Sequence, residues 1–255
     1  MTLSSALRRA ATRLGLVSRP APRPAIAGNS TRAGLARAAG RGTPISTVID
    51  VGASDGRWST MAATVFPAAR FLLVEAQPTH AAALRELTRR DRRFATALVA
   101  AGPRDGTIHF DASDPFGGVA SERPTGTSDL VVPMRTLDSL VAEHGLAGPF
   151  LVKLDTHGFE TAILSGAAAT LYRASLLVIE VYNFKLVPDD PGCLRFHELC
   201  GWLEARGFRC VDICEVSRRA GDQVLWQMDM LFEPSLRVSA PPEPPGADSA
   251  GTSQT

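Results

Sequence analysis

Three short segments carry acids, glycines and a histidine in patterns that can do chemistry. VIDVGASDGRWST sets Asp50 and Asp55 around Gly52, Ser54 and Gly56. LLVEAQP closes an apolar run with Glu75, and LVKLDTHGFETAIL closes another with Asp155, followed by His157, Gly158 and Glu160. A glycine turn between an apolar run and a helical stretch lets a ligand approach backbone amides at a helix N-terminus. A carboxylate ending the next run can take both hydroxyls of a ribose through paired hydrogen bonds. Either Asp155 or His157, an imidazole with an ordinary pKa of about 6.5, can accept the proton of a hydroxyl nucleophile. Glu180, at the end of VIEVY, adds another acid able to meet an acceptor or a cofactor.

The sign of these charges selects among ligands. A dinucleotide turn is GxGxxG, whose middle glycine admits a pyrophosphate. Here Ser54 stands near that place, and Asp50 and Asp55 would repel the phosphates. S-adenosylmethionine carries an adenosine, a sulfonium and an ammonium but no phosphate, so the same acids suit it. Methyl transfer from a sulfonium is an in-line displacement on a good leaving group, and the protein's task is chiefly alignment. Asp155, His157 and Glu160 bend around Gly158 with no second carboxylate pair nearby in sequence, so no metal is expected. Glu160 reads as a first-turn helix acid favoured by the helix dipole.

For these residues to meet, strands must end on one rim. Apolar runs predict strands over 47–53, 71–76, 94–101, 150–155 and 176–181, with helical periodicity over 57–66, 79–90, 159–167 and 194–206. That alternation predicts a parallel sheet with helices on both faces and ligands outside the carboxyl ends of the strands. Strands at 107–110 and 130–134 flank a Gly, Pro and Ser-rich loop over 114–128 expected to shape the acceptor pocket, and a helix should start at Thr136. The runs 209–216 and 224–232 are too close for a parallel crossover and predict an antiparallel hairpin at one sheet edge. The fold class expected is α/β and Rossmann-like, mostly parallel with an antiparallel C-terminal edge strand.

Composition bounds the partners. The chain has 255 residues, of which 45% are hydrophobic, enough for one core. No apolar run approaches the roughly 20 residues that span a bilayer. Eight of the 27 basic residues lie in 1–45, where there is no acid, and the remaining 19 face 26 acids. A body of that sign is a poor partner for a phosphate backbone, so no nucleic acid is expected. The Arg, Ala and Pro-rich segment 1–45, with Leu3, Leu7 and Leu14 at helical spacing, and the Pro and Ser-rich segment 235–255 are expected to be disordered tails around one folded unit, 46–234. Cys193 and Cys200 fall in a predicted helix, Cys210 and Cys214 in a predicted strand, with no CxxC pair. They read as buried thiols of a reducing compartment, and the cytoplasm is the expected location.

The segments VIDVGASDGRW, LLVEAQP, VPMRTLDSLV and KLDTHGFETAILSGA resemble the FkbM family of methyltransferases, from about Thr47 to about Phe232, and CGWLEARGFRC and LWQMDMLF extend the likeness. The resemblance implies a class I methyltransferase fold over 46–234, S-adenosylmethionine as donor and O-methylation of a sugar or natural-product hydroxyl. By matched position it implies Asp50, Gly52, Ser54, Gly56 and Glu75 as donor contacts, with Ala100 and Ala101 beside the adenine. Asp155 and His157 are the catalytic candidates. DTHGFE departs from the acid or glutamine that many members carry two residues after the Asp, which leaves the base open between these two. The rival readings are a dinucleotide-dependent oxidoreductase and a non-catalytic member that binds adenosyl compounds.

Overall fold

The computed structural model describes residues 26–124 and 129–235. The expectations for residues 1–25 and 236–255, and for 125–128 of the loop, lie outside the described residues.

β1 (Thr47–Val51), β2 (Arg70–Val74) and β3 (Phe94–Ala97) run parallel, and β8 (Phe150–Leu154) and β9 (Ala174–Tyr182) extend the sheet on the other side of β1. β10 (Phe208–Arg218) and β11 (Leu225–Pro234) complete the order β10-β11-β9-β8-β1-β2-β3. The central strands are covered on both faces, which is why TVIDV, FLVKL and SLLVIEV are apolar almost throughout. Side chains alternate between the faces. Val48, Phe71, Leu73, Leu151 and Val178 join α1 (Thr31–Arg41), α2 (Arg57–Val65) and α3 (Ala81–Arg90) in one core. Ile49, Leu72, Val152, Leu177 and Ile179 join α4 (Leu137–Glu143), α5 (Glu160–Ser165) and α7 (Phe196–Glu204) in the other. A short α6 (Ala168–Tyr172) packs Leu171 against that second core. No helix among the described residues is long and apolar enough to cross a membrane.

Some expectations are corrected. The antiparallel hairpin stands at one sheet edge as expected, but its order is turned: β11 pairs with β9 on one side and β10 on the other, leaving β10 outermost. Met228, Met230, Leu231 and Phe232 of β11 reach the cores, whereas β10 is mostly exposed, so burying β11 inside gains more apolar area. The strand expected over 94–101 breaks at Leu98 and Val99. Its end, β4 (Ala100–Ala101), joins a second sheet of order β4-β7-β5-β6 with β5 (Gly106–Asp111), β6 (Val119–Ser121) and β7 (Asp129–Arg135). Ile108, Phe110, Val132 and Met134 give that sheet a small core of its own over the strand ends.

The folded unit begins before residue 46. Ser30 caps α1 through a hydrogen bond from the Ala33 amide, and Gly42 closes it in the left-handed region. Leu35 and Ala38 are fully buried, and Arg37 holds Asp212 of β10 through two nitrogens at 2.6 and 3.0 Å. Three of the eight arginines of 1–45 therefore belong to a docked helix, Arg32, Arg37 and Arg41, with Arg41 also reaching Glu233 at 2.7 Å. Alanine-rich helices with one apolar face look like tails until the surface that covers them is known. The cysteines differ too: Cys193 precedes α7 and is buried with Cys214, Cys200 is half-buried and Cys210 exposed.

Candidate active site

A cavity of about 700 Å³ opens at the carboxyl ends of β1, β2, β8 and β9, under the second sheet. Its floor is the turn after β1. Gly52 has φ 73° because the turn after β8 crosses it closely: a Cβ there would lie 2.1 Å from the Asp155 carbonyl oxygen. The protein's own backbone, rather than a ligand, demands that glycine. Ser54 follows at φ 51°, which directs its amide to Glu75.

Glu75 sits just past β2, 6% exposed, with Oε2 accepting the Ser54 N–H at 2.6 Å and Oε1 the Gln77 N–H at 2.7 Å. Each oxygen keeps a second lone pair. Two backbone donors thus fix a carboxylate against the cavity. Val99, Ala100 and Ala101 form a small apolar wall near it. Residues 112–118 strap the opening: the Gln77 amide donates to the Asp114 carbonyl at 3.1 Å, and the His80 ring to that of Pro115 at 2.7 Å. Phe116 rests against His80 and under Arg57. Pro115, Phe116, Gly118 and Ala120 line the cavity, so the described part of the 114–128 loop does shape it.

On the opposite wall, β8 supplies Lys153, the turn after it Asp155 and His157, β9 Glu180 and Tyr182, and β11 Gln227. Lys153 and Asp50 are register partners on neighbouring strands, their side chains on one face. Lys153 Nζ lies 3.3 Å from Asp50 Oδ1, 3.1 Å from Asp155 Oδ2 and 3.2 Å from the Gly52 carbonyl. Burial opposes its charge, but the two carboxylates outweigh it and hold Lys153 above the ordinary ammonium range. Burial holds Asp50 above the usual carboxylate range, and the Lys153 charge and the Ser59 hydroxyl, at 2.7 Å, pull it only part of the way back. Burial likewise works against Asp155, but the Lys153 charge and a hydrogen bond from Glu180 prevail and keep it below the usual carboxylate range. Glu180 goes the other way, driven well above that range by burial and by the Asp155 charge. Tyr182 Oη donates to Glu180 Oε2 at 2.5 Å and Gln227 Nε2 to Oε1 at 2.9 Å.

His157 stands at φ 53° with Gly158 at φ 98°, a left-handed pair that turns the imidazole back over Asp155. Its Nδ1 is 3.1 Å from the Gly118 carbonyl. A carbonyl only accepts, so Nδ1 carries a proton, and in the neutral ring Nε2 offers a lone pair toward Asp155 Oδ1 (3.8 Å) and Glu180 Oε2 (3.9 Å). The imidazole is therefore set to accept a proton or bind a cation.

Of the residues singled out in the sequence, Gly52, Ser54, Glu75, Ala100, Ala101, Asp155, His157 and Glu180 line this one cavity. Asp50 does not: it is wholly buried beneath the turn, so it acts on the site through Lys153 rather than by touching a donor. Gly56 is also off the cavity, at φ 82°, where a Cβ would meet Leu87 at 2.7 Å and Leu73 at 3.2 Å. Its role is to seat α2 on the sheet. Glu160 is buried behind the rim, accepting the Gly158 N–H and the Thr156 hydroxyl, as a first-turn acid does. Sequence reasoning gave Lys153 no functional place. Its signal was a lysine inside an otherwise apolar central strand, a position tolerated only with paired countercharges.

The strand order, with one antiparallel strand inserted beside the edge and a cavity at the carboxyl rim, defines a class I methyltransferase fold. Residues 50–210 match the family model described as the methyltransferase FkbM domain, and the chain belongs to that family. Among solved structures, a putative O-methyltransferase from Klebsiella pneumoniae is similar at 14% identity and a TM-score of 0.47, over 91% of this chain and 97% of that one. The cofactor-bound Rv0187 from MTB is similar at 17% identity and 0.47, over 90% and 88%. A fibrillarin pre-rRNA processing protein from Methanococcus jannaschii is similar at 13% and 0.47, over 74% of this chain, which spans 66% of that one, just under two thirds. A comparison with the curated proteins finds no match.

Proposed function

We propose that this methyltransferase takes its methyl group from S-adenosylmethionine and places it on the hydroxyl of a sugar or natural-product small molecule. The observation that carries the reading is Glu75, a buried carboxylate pinned by two backbone amides at the second strand end and facing a cavity that runs on to Asp155 and His157. Its remaining lone pairs suit two ribose hydroxyls, and Ala100 and Ala101 leave room for a purine. Gly52 and Ser54 offer backbone to the rest of the donor, while Asp50 and Gly56 hold the turn that presents them. The acids around the cavity favour a cationic ligand over a pyrophosphate. S-adenosylmethionine, when bound, supplies a methyl on a positively charged sulfur.

Asp155 and His157 are the proposed catalytic residues: they hold the acceptor hydroxyl in line with that methyl and promote the loss of its proton. The O–CH₃ bond forms as the S–CH₃ bond breaks, with the electron pair left on sulfur. A cavity of about 700 Å³ is the size of a small-molecule site, and with the acid excess outside 1–45 it supports a small acceptor rather than nucleic acid. The four unpaired thiols support a reducing compartment, and we place the protein in the cytoplasm.

Calorimetry with S-adenosylmethionine, its demethylated product and NAD tests the donor, and methyl transfer to hydroxylated acceptors tests the reaction. Glu75→Ala removes charged hydrogen bonds of about 1.5–3 kcal/mol each and should raise the donor Kd at least ~10-fold. His157→Ala and Asp155→Asn should instead lower kcat with the donor Kd within about 3-fold, since only interactions realised in the transition state act on kcat. Binding of NAD in preference to the donor, or a Glu75→Ala variant with unchanged affinity, would refute the reading.

A further inference from the structure

Asp155, His157 and Glu180 each bring one ligand atom to a common point at the cavity wall, all within 4.8 Å of one another. Glu180 replaces Glu160 in the trio weighed from sequence, because β9 lies beside β8 and Glu160 turns inward to the Gly158 amide. The two separations that involve His157 Nε2, 3.8 and 3.9 Å, are too long for hydrogen bonds. They fall inside the range of about 3.0–4.8 Å set by two ligands that share a cation at about 2.1–2.4 Å.

Each side chain is also held from behind. Gly118 takes the Nδ1 proton of His157, which fixes the tautomer that leaves Nε2 bare, as a carbonyl partner does for most metal-binding histidines. Lys153 holds Asp155 through Oδ2, leaving Oδ1 toward the imidazole. Gln227 and Tyr182 hold Glu180. The left-handed backbone at His157 is disfavoured in a non-glycine residue and is what aims the ring at the two acids. Gly158 cannot be otherwise, since a Cβ there would lie 2.7 Å from Cys193 Sγ.

From this geometry we infer that Asp155, His157 and Glu180 form a site for one divalent cation that accepts mixed oxygen and nitrogen ligands, of which Mn²⁺ is a fitting probe. The inference rests on the reading of this rim as the acceptor's place and deepens it. The three protein ligands occupy the wall, and the cavity side is left for the acceptor hydroxyl. A cation there acidifies a hydroxyl that ligates it, so the O–H proton leaves to water and the oxygen pair is free to form the O–CH₃ bond. Asp155 and His157 then promote proton loss as ligands, and neither takes the proton itself.

The test is Mn²⁺ binding to the full chain after treatment with EDTA and dialysis, read by the loss of the free-ion electron paramagnetic resonance signal and by calorimetry. One site is expected, weakened at least ~10-fold by His157→Ala and, separately, by Glu180→Gln. Asp222→Asn, at an exposed Arg219 pair far along the chain, should bind Mn²⁺ as the parent does. Circular dichroism and donor affinity show which variants stay folded. No binding by the parent at millimolar Mn²⁺, or binding undiminished in both folded variants, would overturn the site. Binding at the trio with turnover indifferent to EDTA would overturn its role. Donor binding and methyl transfer that persist without the ion would leave the methyltransferase reading standing, so the two failures are distinct.

Discussion

Replacing Lys153 by Met removes the ammonium that faces the buried Asp50 carboxylate. Met keeps most of the apolar stem, so the packing change is small and the effect is electrostatic. Asp50 is wholly buried, with the Ser59 hydroxyl as its other partner. Left without a countercharge, it either stays ionised at a cost of several kcal/mol or takes up a proton. Protonation sets the ceiling: at pH 7, for an acid of ordinary pKa about 3.9, it costs about 4 kcal/mol. Asp155, a third exposed, can replace Lys153 by water and adds little. Urea unfolding at pH 7 should therefore show Lys153→Met less stable by about 3–4 kcal/mol, or roughly 6–16 °C in Tm for a domain of this size. In the variant the folded pKa of Asp50, already raised by burial in the parent, rises further, so the folded state holds a proton that the unfolded chain lacks. Stability then falls as pH rises through that window, and at pH 5 the loss should shrink to about 1.5 kcal/mol. In an Asp50→Asn background there is no charge to strand, and Lys153→Met should cost about 1 kcal/mol or less. A loss below about 1 kcal/mol in the parent, or an equal loss at both pH values and in both backgrounds, would refute the reasoning.

Two further perturbations test the frame of the site. Gly52→Ala puts a Cβ 2.1 Å from the Asp155 carbonyl oxygen in a left-handed turn. It should destabilise the fold by about 3 kcal/mol or more and raise the donor Kd at least ~10-fold, since the turn must move off the strand end. Calorimetry and urea unfolding that match the parent would refute that crossing. Deleting residues 1–27 should leave Tm within about 2 °C of the parent, whereas deleting 1–45 removes α1 with its buried Leu35 and Ala38 and the Arg37–Asp212 pair. The longer deletion should cost about 3–6 kcal/mol and expose apolar surface to a hydrophobic dye. Equal melting temperatures for the two would return α1 to the tail.

The sequence by itself determined the parallel sheet and the rim acids. Runs such as FLVKL and SLLVIEV are apolar at nearly every position, and only strands buried on both faces ask for that. Glu75 and Asp155 were legible because each is the first polar residue after such a run, and a strand that ends places its next side chain at the rim. What lay beyond the sequence depends on neighbours far along the chain. Asp50 reads like a rim acid until the register sets Lys153 beside it, 103 positions on, and the pair closes beneath the turn. Gly52 and Gly56 share one loop, yet the first yields to the Asp155 backbone and the second to leucines of β2 and α3. α1 has caps in Ser30 and Gly42, but the surface that stabilises it comes from β10 and β11, and Glu180 meets His157 only because β9 lies next to β8. Local pattern fixes which face a side chain takes within its own element, and only packing decides which other element it faces there.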